Sequence, residues 1–212
     1  MTVYSVITGD IISSSKLSNS QRMELLSQMK RLFDDLTNQN KDLKFEIFRG
    51  DSFQGVFEDI SLCLPTVLMI KTGLKKSNIL KKGVDVRIAI GIGEITLFSD
   101  KIRESDGEAF RHSGQLLDKM KYTNQTIAVK TPWEAVDDEL EVLCIALDAI
   151  TGRWSPQMAE VVYEVLTGMK QVQIADKLGI KQPSVNQRLK LSNWTAVNRI
   201  LQRFQKLLTT KI

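Results

Sequence analysis

Cysteine, proline and histidine are scarce in this chain of 212 residues, which has two Cys, four Pro and one His. Cys63 and Cys144 lie far apart in apolar stretches. Two thiols and one imidazole supply neither a disulfide framework nor a Cys/His zinc site. No apolar run reaches the ~20 residues of a membrane-spanning helix. The opening MTVYSVITGDIISSSK has no basic stretch before its short apolar run, so no secretory signal is expected there and a reducing cytoplasm is the expected compartment. No repeat or low-complexity tract appears. With 42% hydrophobic and 25% charged residues there is enough apolar side chain for a real core. At roughly 100–200 residues per domain the length allows one large domain or two small ones.

The net charge of +4 hides an uneven distribution. Residues 1–150 carry 19 basic against 22 acidic side chains, a net of −3, and residues 151–212 carry 10 against 3, a net of +7. An acidic body with a basic terminal module points toward nucleic acid, or toward a solvated basic face.

The body reads as strand, helix, hairpin, helix, strand. Val3–Ile7 is rich in β-formers and runs into Thr8-Gly9-Asp10. A helix over 21–38, capped by Ser18 or Ser20, spaces Met23, Leu26, Met29, Leu32, Phe33 and Leu36 helically. Leu43, Phe45 and Ile47 alternate, Gly50-Asp51 is a turn signal, and Ser52–Phe57 completes a hairpin. A helix over 60–78, an apolar strand Val84–Gly93, a helix over Asp106–Tyr122, a strand Thr126–Val129 and a helix within Pro132–Ile150 follow. This order predicts an α+β, ferredoxin-like (split βαβ) body over 1–150, with helices on one sheet face. An all-α helix-turn-helix domain is predicted over 151–212.

The topology makes a chemical prediction. Its first two strands run parallel with the third between them, so the carboxyl end of the first strand lies beside the hairpin turn. Asp10 closes that strand and Asp51 sits in that turn, each after a glycine. Two adjacent carboxylates repel unless a cation lies between them. Mg²⁺ or Mn²⁺, held by one or two carboxylates plus substrate phosphates, fits such a pair. The other reading is that Gly-Asp is simply common in turns.

TGDIISS, FRGDSFQGVF and VRIAIGIGEI together resemble the palm domain of class III nucleotide cyclases and their GGDEF relatives, over about 1–130. The resemblance implies two metal ions on Asp10 and Asp51, with the Ile11 carbonyl as a further ligand. It places the loop Ser13, Ser14, Ser15 where phosphates are held, a task suited to hydroxyl and N–H groups. Where cyclases carry a transition-state Asn and Arg, alignment puts Arg111 and Gln115. Where they carry a base-reading residue, it puts Ile47, with Glu46 one residue away. Arg49, Arg87, Arg103 and Arg111 remain as phosphate-binding candidates. The single histidine, His112, beside Arg111, reads as an ordinary surface or groove residue rather than a general base.

In the terminal module Ser155 caps a helix with Pro156 in its first turn. Ile174, Ala175, Leu178, Gly179, Ile180 and Val185 have helix-turn-helix spacing, with Ala175 small at the crossing and Gly179 in the turn. The segment is similar to sigma-factor region 4. The second helix begins QPSVNQRLK. Gln182, Ser184 and Gln187 are base-contact candidates, and Lys181, Arg188 and Lys190 phosphate contacts, on double-stranded DNA. A protein-contact role is the alternative. The last helix, capped by Ser192-Asn193, carries Trp194, Val197, Leu201, Phe204 and Leu208, mostly core but with room for a homodimer.

The whole order resembles the SatD family of small bacterial proteins. Three functions follow as expectations: a DNA-binding regulator sensing a nucleotide and metal; a metal-dependent cyclase or nucleotidyl transferase targeted by its helix-turn-helix; or a non-catalytic scaffold.

Overall fold

The computed structural model describes residues 2–48 and 50–211. Arg49, a phosphate candidate, lies outside them. Among these residues a five-stranded sheet has the order β2-β3-β1-β4-β7. Strand β1 is Tyr4–Ile11, β2 Lys44–Phe48, β3 Ser52–Phe57, β4 Val86–Gly93 and β7 Ile127–Lys130. β1 pairs antiparallel with both β3 and β4, and β2 antiparallel with β3. That is the split βαβ arrangement. β7 is appended parallel to β4. β1 extends through Gly9 and Asp10 to Ile11 because β3 and β4 satisfy its backbone on both sides.

Helix α1, Asn19–Gln39, starts at a capping box in which the Gln21 N–H donates to Ser18 Oγ and the Ser18 N–H to Gln21 Oε1. Its buried stripe runs Leu25, Met29, Leu32, Phe33 and Leu36, while Met23 is 76% exposed. A 3₁₀ turn at Ile60–Leu62, capped by Asp59, precedes α2, Cys63–Lys75. Both helices cover one sheet face, burying Ile7, Phe53, Phe57, Ile88, Ile90 and Ile92.

The opposite face is not bare, contrary to the one-sided arrangement predicted. Strand β5, Ile95–Leu97, and β6, Asp106–Gly107, form a small ladder that delivers α3, Glu108–Met120, onto it. The start of α3 buries Ala109 and Phe110 against Val6 and Val56, and its end buries Leu117 and Met120 against Ala89 and Ala128. Ala89 and Gly91 alternate with the large isoleucines of β4, so the strand itself leaves room for this helix.

Helix α4, Glu134–Thr151, packs on β7. Then come α5, Pro156–Leu166; α6, Gln171–Leu178; α7, Gln182–Leu191; and α8, Trp194–Thr209. Ser155 caps α5, and Gly179 turns between α6 and α7 at φ +63°. Asn193 begins α8 in the left-handed region without a side-chain cap, unlike the predicted capping role. Val197, Phe204 and Leu208 are fully buried and Leu201 nearly so. Those four are spent within the chain, so Phe204 offers nothing to a second copy, while Trp194 is only half-buried.

These helices share a continuous core with the sheet. Trp154 Nε1 donates to the Ser192 carbonyl at 2.9 Å, tying the approach to α5 to the end of α7. Glu164 on α5, almost fully buried, is clamped by Lys76 at the end of α2 and Lys177 on α6. Desolvation lowers the Lys76 pKa, against the raising pull of Glu164.

Candidate metal and nucleotide site

The end of β1 and the β2–β3 turn meet as the topology requires. Asp10 stands opposite Ser52 in the ladder, and the Ile11 N–H donates to the Asp51 carbonyl at 2.9 Å. The Ile12 N–H donates to the Asp85 carbonyl at 3.0 Å, which aims the next residues past the sheet edge. Ser13 takes φ +60°, and Ser14 Oγ donates to Asp51 Oδ2 at 2.7 Å. Arg22 holds the same loop, its Nε on the Leu17 carbonyl and its Nη2 on the Ser15 carbonyl. Asp10, Ile11, Ser14 and Asp51 are thus gathered at one sheet edge.

The carboxylates have separate partners there. By strand alternation Asp10 shares the α3 side with Val6 and Thr8. Arg87, its register partner on β4, places Nη1 3.0 Å from Oδ1 and 3.3 Å from Oδ2. Asp51 accepts from Ser14 and more weakly from Ser52. It lines a cleft of about 340 Å³ with Ser14, Leu17, Arg22, Leu25 and Leu26. A broader groove of about 580 Å³ runs along Thr8, Ser52, Gln54 and Arg103. Among the described residues no group of three or more His, Cys, Asp or Glu side chains is placed to hold a metal. The two carboxylates and the serine loop are oxygen donors of the type a hard divalent ion takes, with phosphate oxygens completing its shell.

The glycines before the two aspartates have ordinary explanations. A Cβ at Gly9 would lie 2.4 Å from the Phe53 ring, and Gly50 takes φ +81° in the turn. Neither needs a ligand to account for it. Ile11 is a core side chain, so only its backbone is available to a cation.

Arg111 is not brought to this edge. Its Nη1 pairs with Asp106 at 3.1 Å. On the next residue His112 Nδ1 donates to the Ile92 carbonyl, and Ile92 lies opposite Ser5. That is the other end of β1, about 17 Å of strand from Asp10 at 3.3 Å per residue. His112 is thereby anchored to the backbone of β4. Glu46 faces Arg103, accepting from its N–H at 3.3 Å, and Ile47 packs against the core.

Two supporting interactions had weaker sequence signals. Lys71 is buried within α2, with its three ammonium donors on Asp85 Oδ1, the Val86 carbonyl and Thr126 Oγ1. The lone lysine in TVLMIKTGL was the only hint. Asp148 on α4 accepts from the Thr126 and Ile127 N–H groups, a contact that no local pattern announces.

The sequence candidates for DNA contact lie on α7 and its N-cap. Lys181, Gln182, Gln187 and Lys190 are exposed and Ser184 is half-buried. Arg188 is drawn back by Glu160 at 3.2 Å.

A family model, the SatD family, matches residues 4–208. No curated protein matches the chain. Among solved structures the chain is similar to a bacterial light-regulated adenylyl cyclase, at 12% identity over 60% of this chain and 75% of that one, TM-score 0.43. It is also similar to the GGEEF domain of a diguanylate cyclase from Vibrio cholerae, at 16% identity over 63% and 85%, TM-score 0.44. A dimeric guanylyl cyclase domain from Blastocladiella emersonii shares 16% identity over 60% and 78%, TM-score 0.45.

Proposed function

The chain belongs to the SatD family, and from the edge geometry we propose that it binds a nucleoside triphosphate with Mg²⁺ or Mn²⁺ and acts on it as a cyclase-type or nucleotidyl-transferring enzyme. The observation that carries this reading is the gathering of Asp10, Ile11, Ser14 and Asp51, separated by some forty residues of sequence, at one strand end. Asp10 and Asp51 would hold the cation, with the Ile11 carbonyl as a third ligand. When bound, the metal supplies charge neutralisation at the phosphates and a lowered pKa for an attacking hydroxyl. Ser13, Ser14 and Ser15 present hydroxyl and N–H groups to phosphate oxygens. The cleft walled by Leu17, Leu25 and Leu26 gives an apolar part of the ligand a place out of water. Arg111 is paired with Asp106 and Gln115 is uncharged, so neither stands in for the cyclase Asn and Arg. Attack of a ribose hydroxyl on the α-phosphorus, with pyrophosphate leaving, would rest on the cation and the loop.

The test is incubation of the whole protein with each of the four NTPs and Mn²⁺, with chromatographic product analysis beside thermal melts. Release of pyrophosphate, abolished by Asp51→Asn, is the expected result. A ligand at 100 times its Kd adds about 2.7 kcal/mol of stability, which is about 5–10 °C in Tm for a chain of this size. Intact NTPs with a ligand-dependent shift would leave a nucleotide sensor. Intact NTPs with no shift would leave a scaffold.

A second reading has its own support: a net +7 over residues 151–212, and an α7 face of exposed Lys and Gln. In it, residues 151–212 are a helix-turn-helix domain on double-stranded DNA, whether as regulator or as targeting module. A second copy would let two such helices read paired half-sites. Affinity for DNA fragments should fall steeply with salt, and the slope should ease by about one unit for each of Lys181→Ala and Lys190→Ala. Arg188→Ala should do less, since Glu160 already holds that guanidinium. No binding at low salt would remove this reading and leave the first untouched.

A further inference from the structure

The Asp10–Arg87 pair has an unusual geometry. A guanidinium normally meets a carboxylate fork to fork, through two nitrogens. Here the single nitrogen Nη1 spans both oxygens of Asp10, at 3.0 and 3.3 Å. Nε is buried with no hydrogen-bond partner. Both side chains are four-fifths covered, at 20% exposure for Asp10 and 17% for Arg87, so neither charge is well served by water. The guanidinium is committed to Asp10 yet incompletely satisfied by it. It also occupies both oxygens that a cation at Asp10 would need.

We propose that Arg87 is a displaceable internal counter-ion that makes cation and nucleotide binding at this edge depend on each other, an inference that rests on the nucleotide–metal reading above. With no nucleotide present, Arg87 neutralises Asp10 and repels a divalent ion. When a nucleotide arrives, its phosphate oxygens offer Arg87 a second acceptor able to take two parallel N–H donors, the buried Nε among them. Asp10 is then released to the cation. Because Arg87 is fixed to β4 directly across from Asp10, the exchange needs only a side-chain rotation and no movement of the sheet. Coupling of this kind is reciprocal: the cation improves nucleotide affinity by the same factor as the nucleotide improves cation affinity. Arg87 is here a positioning residue for the cation and a contact for the phosphate.

The experiment is Mn²⁺ binding by electron paramagnetic resonance, and nucleotide binding by calorimetry, on the full chain. Mn²⁺ alone, non-hydrolysable ATP and GTP analogues alone, and each pair together are compared. The wild type should bind Mn²⁺ at least about tenfold more tightly with an analogue present, within the range usual for coupled sites. Arg87→Gln should bind Mn²⁺ alone more tightly than wild type, with the coupling collapsing toward one. Arg87→Lys keeps the charge but not the two parallel donors. It should still exclude Mn²⁺ alone while losing most of the coupling, and it serves in its own right if the Gln variant misfolds by circular dichroism. If the wild type binds Mn²⁺ with nucleotide but the variants leave both lone-metal affinity and coupling unchanged, this inference is overturned and the site reading stands. If the wild type binds neither Mn²⁺ nor an analogue, the site reading is overturned and the role of Arg87 with it.

Discussion

Gly91→Ala will cost about 3–4 kcal/mol, at or above the usual upper range for overpacking, and will lower Tm by about 8–15 °C. The reason is contact with backbone rather than with a side chain that can rotate away. A Cβ at Gly91 would lie 2.1 Å from the Ala109 carbonyl oxygen and 2.4 Å from the Ser113 nitrogen, both part of α3. The helix must lift off β4 to admit a single methyl group. Lifting it strains the 2.9 Å bond between Thr8 Oγ1 and Ser113 Oγ, and the bond from His112 to the Ile92 carbonyl. It also opens the packing of Ala109 and Phe110 on Val6 and Val56. Gly114, next to Ser113 on α3 itself, is the control, because a Cβ there meets nothing within 4 Å. Gly114→Ala should be neutral or stabilising by up to about 1 kcal/mol through helix propensity. Thermal melts of the two variants make the comparison. Equal effects would mean that α3 is not seated as closely as described.

The same strand shows where sequence reading succeeds and where it stops. Ile88, Ile90 and Ile92 mark β4 as a strand, β-formers mark β1, and apolar alternation about the Gly50-Asp51 turn marks the β2–β3 hairpin. Their order was enough to bring Asp10 beside Asp51. The small residues between those isoleucines, Ala89 and Gly91, also carried the signal for a helix on the second face. In an all-apolar run that size alternation is masked, and a one-sided sheet was expected instead. The β5–β6 ladder pairs three residues with two, too few for any period to show. The Arg87–Asp10 contact depends on the register of β1 against β4, which pairs residues 77 apart and has no local signature. At the other end of the chain, the turn at Gly179 between α6 and α7 was legible because a left-handed backbone constrains residue type directly. The withdrawal of Arg188 onto Glu160 was not, since it depends on which face α5 turns toward α7.

Lys71→Met will cost about 2–3 kcal/mol at neutral pH and lower Tm by about 5–10 °C. Removing one partner of a fully buried ion pair costs more than this, but Asp85 is a third exposed and keeps Lys75 at 3.5 Å, so the figure is reduced. What the variant leaves behind is the Val86 carbonyl without its lysine donor, Thr126 without one neighbour, and a carboxylate with half its countercharge. The deficit should depend on pH. Burial alone would raise the Asp85 pKa, but the Lys71 and Lys75 ammonium groups and the Val86 N–H outweigh it and hold the carboxyl below its ordinary value. A depressed carboxyl stabilises the fold above its unfolded pKa of about 3.9, and that stabilisation is lost as pH falls through the lower folded value. The gap in Tm between wild type and Lys71→Met should therefore be full at pH 7 and narrow below about pH 4. A gap that stayed constant to pH 3 would assign the loss to packing of the lysine stem rather than to the ion pair. The consequence reaches the candidate site through one bond. The Asp85 carbonyl takes the Ile12 N–H at 3.0 Å, and Ile12 leads directly into Ser13, Ser14 and Ser15. A loosened Asp85 frees that loop, so below its melting point the variant should bind Mn²⁺ with nucleotide more weakly than wild type although no residue of the site has changed.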